Sequence, residues 1–145
     1  MEEEKKIKIT ESQRNSISSV LLILNEVIDE IEDLCTTGDK KSILYEVVNN
    51  LNDREKSRVF EATGRIKESI QDIAKTLNIK KKRYEIKNLI SSRIASLWEI
   101  VYEIESKRLK GYGEVSKTLK GYLDPEVTKI TQLLEGIEEI LYRKK

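Results

Sequence analysis

The sequence of 145 residues contains no histidine. That absence removes a histidine general base, Ser-His-Asp and Cys-His arrangements, and every zinc or di-iron site built on imidazole. A single cysteine, Cys35, has no second thiol to pair with, so the fold needs no oxidising compartment. One proline and six glycines leave little material for a loop-rich β-sandwich or a low-complexity tail. No charge of one sign dominates. Lys and Arg total 27 against 26 Asp and Glu, so no global field favours nucleic acid or an anionic membrane. Long apolar runs are also absent. The longest, Val20-Leu21-Leu22-Ile23-Leu24, falls far short of the roughly 20 residues needed to span a bilayer. The opening Met-Glu-Glu-Glu-Lys-Lys lacks the apolar core of a signal peptide. A soluble, cytoplasmic protein without membrane partners is the expectation.

What the chain has is helix material, with 38% hydrophobic and 37% charged residues. Residues 1–9 are charged, without a helical stripe, and read as a frayed leader. Thr10 and Gln13 have capping-box spacing, in which each side chain satisfies the other's backbone N–H at a helix start. Ile17, Val20, Leu21, Leu24, Val27, Ile28, Ile31, Leu34 and Cys35 then advance in steps of three and four along one expected apolar face, and predict a helix over about 11–36. Cys35 reads as a small buried hydrophobe on that face. Gly38 is expected to take a left-handed conformation that stops the helix. Ile43, Leu44, Val47, Val48 and Leu51 fit a short second helix better than a strand.

Asn52 and Glu55 repeat the capping-box spacing before a seam of Val59, Thr63, Ile66, Ile70, Ile73 and Leu77. A fourth helix carries Ile86, Leu89, Ile90, Ile94, Leu97, Trp98, Val101 and Ile104. It is expected to reach about Lys110, where Gly111 and Gly113 weaken it before a short continuation. Asp124-Pro125 reads as the N-cap and first residue of the last helix, whose seam is Val127, Ile130, Leu134, Ile137 and Leu141. The expected fold is all-α: residues 1–145 as one domain, an antiparallel bundle of four long amphipathic helices plus one short helix.

Three constellations are candidates for function. Glu26, Asp29, Glu30, Glu32 and Asp33 have spacings that suit Mg²⁺ on a helix, with Glu135, Glu138 and Glu139 as a facing set. Most of these acids fall off the apolar stripe, so a solvated face is the plainer reading and no metal or cofactor is expected. Lys80, Lys81, Lys82 and Arg83 form a basic turn beside Tyr84, a pattern that can grip a phosphate backbone and stack on a base. The string Leu-Lys-Gly-Tyr occurs at 109–112 and again at 119–122. Arg108, Lys110, Tyr112, Lys120 and Tyr122 are therefore the candidate binding residues, offering flat faces, hydroxyls and charge near permissive glycines. Arg93, at the edge of an apolar stripe, is expected to reach an acid on a facing helix. No phosphate-binding glycine motif occurs.

The functional expectation is a non-enzymatic interaction module that binds a protein partner, chiefly a second copy of itself. Leu22, Ile23, Leu133 and Ile140 lie outside any single narrow seam and motivate that reading. The alternatives are a nucleic-acid or nucleotide-binding accessory using the basic turn, and a Mg²⁺-dependent hydrolase working with carboxylates alone.

Overall fold

The computed structural model describes residues 7–142. Of the leader over 1–9, residues 1–6 lie outside the described residues and 7–10 are non-helical. The protein is predominantly all-α: helices α1 (Glu11–Thr36), α2 (Asp53–Thr76), α3 (Ile86–Tyr102), α4 (Ser106–Leu109) and α5 (Lys117–Tyr142). A two-stranded ribbon, β1 (Lys40–Lys41) with β2 (Glu46–Val47), and a 3-10 turn at Lys110–Tyr112 complete the elements. The chain forms two compact units, Met1–Lys81 and Lys82–Lys145, and each contains one long helical pair.

The first unit pairs α1 with α2. Both expected capping boxes form: Thr10 and Gln13 exchange bonds of 3.0 Å each, and Asn52 and Glu55 exchange bonds of 3.0 and 2.8 Å. The helices run antiparallel, since Arg14 Nε near the start of α1 donates to the Leu77 carbonyl at the end of α2, at 3.1 Å. Leu21, Ile28 and Cys35, seven residues apart, are the buried side chains of α1. Asn78, with φ 53°, takes the left-handed position that ends α2, and Ile79 N–H returns to the Ala74 carbonyl at 2.8 Å.

The expected helix over 43–51 does not form. That segment belongs to the hairpin, with Lys40 opposite Val47 and Lys41 opposite Glu46, closed by Ser42 N–H on the Tyr45 carbonyl at 2.8 Å. The cause is Asn49. Its amide donates to the Cys35 and Thr37 carbonyls at 3.0 and 2.7 Å, and its N–H binds Asp39 Oδ1 at 2.9 Å. These bonds satisfy the end of α1 and hold the returning chain too close for a helix to intervene. Gly38 correspondingly keeps negative φ; α1 ends through extended Thr37 instead. Ile43 and Leu44 are left at the hairpin tip, 96% and 94% exposed.

The second unit pairs α3 with α5, again antiparallel. Ser91 donates to Glu138 at 2.7 Å near one end, and Ser106 meets Asp124 at the other. Among the described residues Ile94 from α3, Ser106 from α4 and Val127, Thr131 and Leu134 from α5 are buried, Val127 most deeply at 2% exposure. Two expectations are corrected here. The fourth helix stops at Tyr102, not near Lys110, and α4 and the 3-10 turn carry the chain to Gly113, whose φ of 141° suits glycine alone. The last helix does not begin at Asp124-Pro125. It begins at Lys117, where the Ser116 hydroxyl accepts Leu119 N–H at 3.1 Å, and Pro125 lies inside it. Asp124 is a cap, but for α4: it accepts the Ser106 N–H at 3.0 Å and the Ser106 hydroxyl at 2.8 Å. Replacing buried Ile94 with Ala is expected to cost about 2–5 kcal/mol of the stability of its unit, read by chemical denaturation.

Candidate functional site

The five candidate binding residues are four from the repeated string and Arg108 beside it. Arg108 is exposed and, with Glu99, Tyr102, Glu103, Glu105 and Lys107, lines a shallow depression of about 550 Å³. Lys110 and Tyr112 sit on the 3-10 turn, Tyr112 almost entirely in solvent, and Lys120 and Tyr122 lie on the first turns of α5. Among the described residues no hydrogen bond, ion pair or ring contact joins any two of the five. Lys120 acts instead on Asp124 one turn ahead. There the Ser106 N–H, then its hydroxyl, then the Lys120 charge hold the carboxyl below its ordinary range. The segment is thus organised around a helix cap.

The basic turn is exposed along Lys80, Lys81, Lys82 and Arg83. Lys80 and Lys81 belong to the first unit, Lys82 and Arg83 to the second. Two of the cations have local partners: Lys82 Nζ stands 5.2 Å from the centre of the Tyr84 ring, and Arg83 lies 3.9 Å from Glu85. Lys75, in the last turn of α2, complements the helix dipole.

Among the described residues, the acidic half of α1 contains the one charged cluster set between helices. Lys67 on α2 reaches Asp29 at 2.9 Å and bonds Glu32 more closely still, while the buried Thr63 hydroxyl donates to Glu32 at 2.7 Å. The Lys67 ammonium thus pairs with two of the acids that the metal reading would need. Glu30 and Asp33 face solvent, and Glu138 is engaged by Ser91. Among the described residues no three acidic or cysteine side chains converge as a metal site. The Lys67 bond, followed by that of Thr63, lowers the Glu32 pKa, and the bonds to Glu32 and then Asp29 raise that of Lys67. Both groups move away from neutrality, the opposite of what a general acid or base needs. Arg93 is exposed and makes no ion pair among the described residues, contrary to expectation.

The remaining candidate is apolar surface. Five aliphatics on α1 (Val20, Leu24, Val27, Ile31 and Leu34) advance 4-3-4-3 and form a second seam beside the buried one, with Val20 61% and Leu34 55% exposed. Ile66 and Ile73 of α2 border the same open side of the pair. In the second unit Ile130, Leu133, Ile137 and Ile140 repeat the 3-4-3 pattern on α5, and Leu97 and Ile100 lie on α3. Trp98 is half-buried, its ring 6.1 Å from Tyr102. Sequence reasoning singled out Leu22, Ile23, Leu133 and Ile140, of which Leu22 is half-buried. It assigned Val20, Val27 and Leu34 to the buried face and placed the hairpin tip, Ile43-Leu44, on a helix, where the signal it lacked was the reach of Asn49. No described helix is long and apolar enough to cross a membrane. The chain matches no family profile, no curated protein and no solved structure.

The Glu32–Lys67 pair has a defined pH signature. The Glu32 pKa is lowered by folding, so its contribution is complete above the unfolded value of about 4.5 and is lost as pH falls through the folded value. The Lys67 pKa is raised, so its contribution is complete below about 10.5 and is lost as pH rises through the folded value. Glu32→Gln is expected to lower the melting temperature at pH 7 and to flatten both the acid and the alkaline arms of a melting-temperature profile.

Proposed function

We propose that this protein is a non-enzymatic interaction module of the cytoplasm, acting through protein–protein contacts and associating with itself. The observation that carries the reading is the open aliphatic seam of α1 with its counterpart on α5. Their 3-4 spacing is that of helices packed on two sides, yet the residues stand in solvent. A contiguous apolar face at such spacing is a contact surface in search of a second helix layer. The charged cluster supports the same reading, because its groups are fully engaged with one another and hold the α1–α2 register.

Sedimentation velocity across the micromolar range, with native mass spectrometry of gently purified protein, tests this. The expected result is a dimer or a complex with a defined protein, with Val27→Glu and Leu133→Glu reducing association while helical content is kept. A monodisperse, partner-free monomer at high micromolar concentration would overturn it. A retained oligonucleotide or nucleotide would favour the basic turn instead.

A further inference from the structure

The open side of the α1–α2 pair has charged borders of opposite sign. At about 100° per residue, Glu30 lies along the outer border of the α1 seam and Arg65 along the outer border of α2. Both are exposed. The contacts between the helices fix relative heights. Asp29 meets Lys67 at 2.9 Å and Glu32 meets Thr63 at 2.7 Å, so Glu30 and Arg65 stand level on opposite edges of one apolar face.

That arrangement is self-complementary. A two-fold axis parallel to the helices, lying in the face, turns each α1 onto the α2 of a second copy without changing height. Glu30 then comes opposite the partner subunit's Arg65, and the contact occurs twice. Asp72, the acid on the α2 border, comes level with Ile23 rather than with another acid. Because α1 and α2 are antiparallel within one copy, each α1 also runs antiparallel to the α2 it meets, giving an alternating four-helix arrangement. Within one copy Arg65 pairs with Glu61 at 3.2 Å, but those side chains are 77% and 67% exposed, and such a pair exchanges readily.

We propose that the open α1–α2 face binds the same face of a second copy of this chain, with Val20, Leu24, Val27, Ile31 and Leu34 in the contact and Glu30–Arg65 pairs on both flanks. The proposal rests on the self-association reading and specifies its face and orientation. Its test is sedimentation equilibrium of Glu30→Arg and Arg65→Glu, each alone and mixed in equal amounts. Each variant alone places like charges together twice and is expected to dimerise about tenfold more weakly than the parent. The mixture brings opposite charges together at both contacts and is expected to form a heterodimer within about twofold of the parental affinity. Recovery in the mixture also shows that both variants fold. A dimer indifferent to both substitutions, or variants weakened without recovery on mixing, would overturn this face while leaving self-association standing. A monomeric parent protein would remove both.

Discussion

A helix in a pair has one neighbour, and α1 has apolar surface for two. That mismatch is the constraint from which the rest of the structure follows. Leu21, Ile28 and Cys35 are buried against α2, while Val20, Val27 and Leu34, each one residue earlier, are turned by about a quarter of the helix circumference into solvent. Leu24 and Ile31 serve both seams and are only half covered. A similar division recurs on α5, where Val127 and Leu134 are buried and Leu133 and Ile140 are not. Apolar area left in water forgoes about 25 cal/mol per Å², so a chain that keeps such seams gains by covering them.

The polar groups between helices determine orientation more than chemistry. Glu32, Lys67, Asp29 and Thr63 fix the sliding position of α1 on α2, and Ser91 with Glu138 does the same for α3 on α5. Half-buried pairs of this kind contribute more to register than to net stability. Among the described residues the strongest electrostatic cluster sets one ammonium between two carboxylates, and Glu32 and Lys67 hold each other in their ordinary charge states.

Much of this was legible from residue order alone, wherever the interaction is local. The capping boxes at Thr10–Gln13 and Asn52–Glu55 join residues three apart, so the starts of α1 and α2 follow directly from spacing. The seams of α1, α2 and α5 and the burial of Cys35 follow from helical period. Two of the departures come from side chains acting at a distance. Asn49 reaches back 14 residues to cap α1 and converts an expected helix into a hairpin. Asp124 reaches back 18 residues to cap α4, so the Asp-Pro pair that resembles a helix start sits inside α5. Of the candidate site, Ile23, Leu133 and Ile140 were visible in sequence as surplus apolar positions. Val20, Val27 and Leu34 share the helical period of the buried face, and their exposure, like Lys67 as the partner of the α1 acids, required knowing which helix lies beside α1.

The central claim is that the second seam of α1 is a protein contact rather than solvated surface. Isotope-filtered methyl spectroscopy on an equal mixture of labelled and unlabelled protein tests it directly. The account predicts intermolecular cross-peaks from the Val20, Val27 and Leu34 methyl groups and none from the buried Leu21 and Ile28. Intermolecular contacts absent from that seam at concentrations where the protein is fully associated would contradict it.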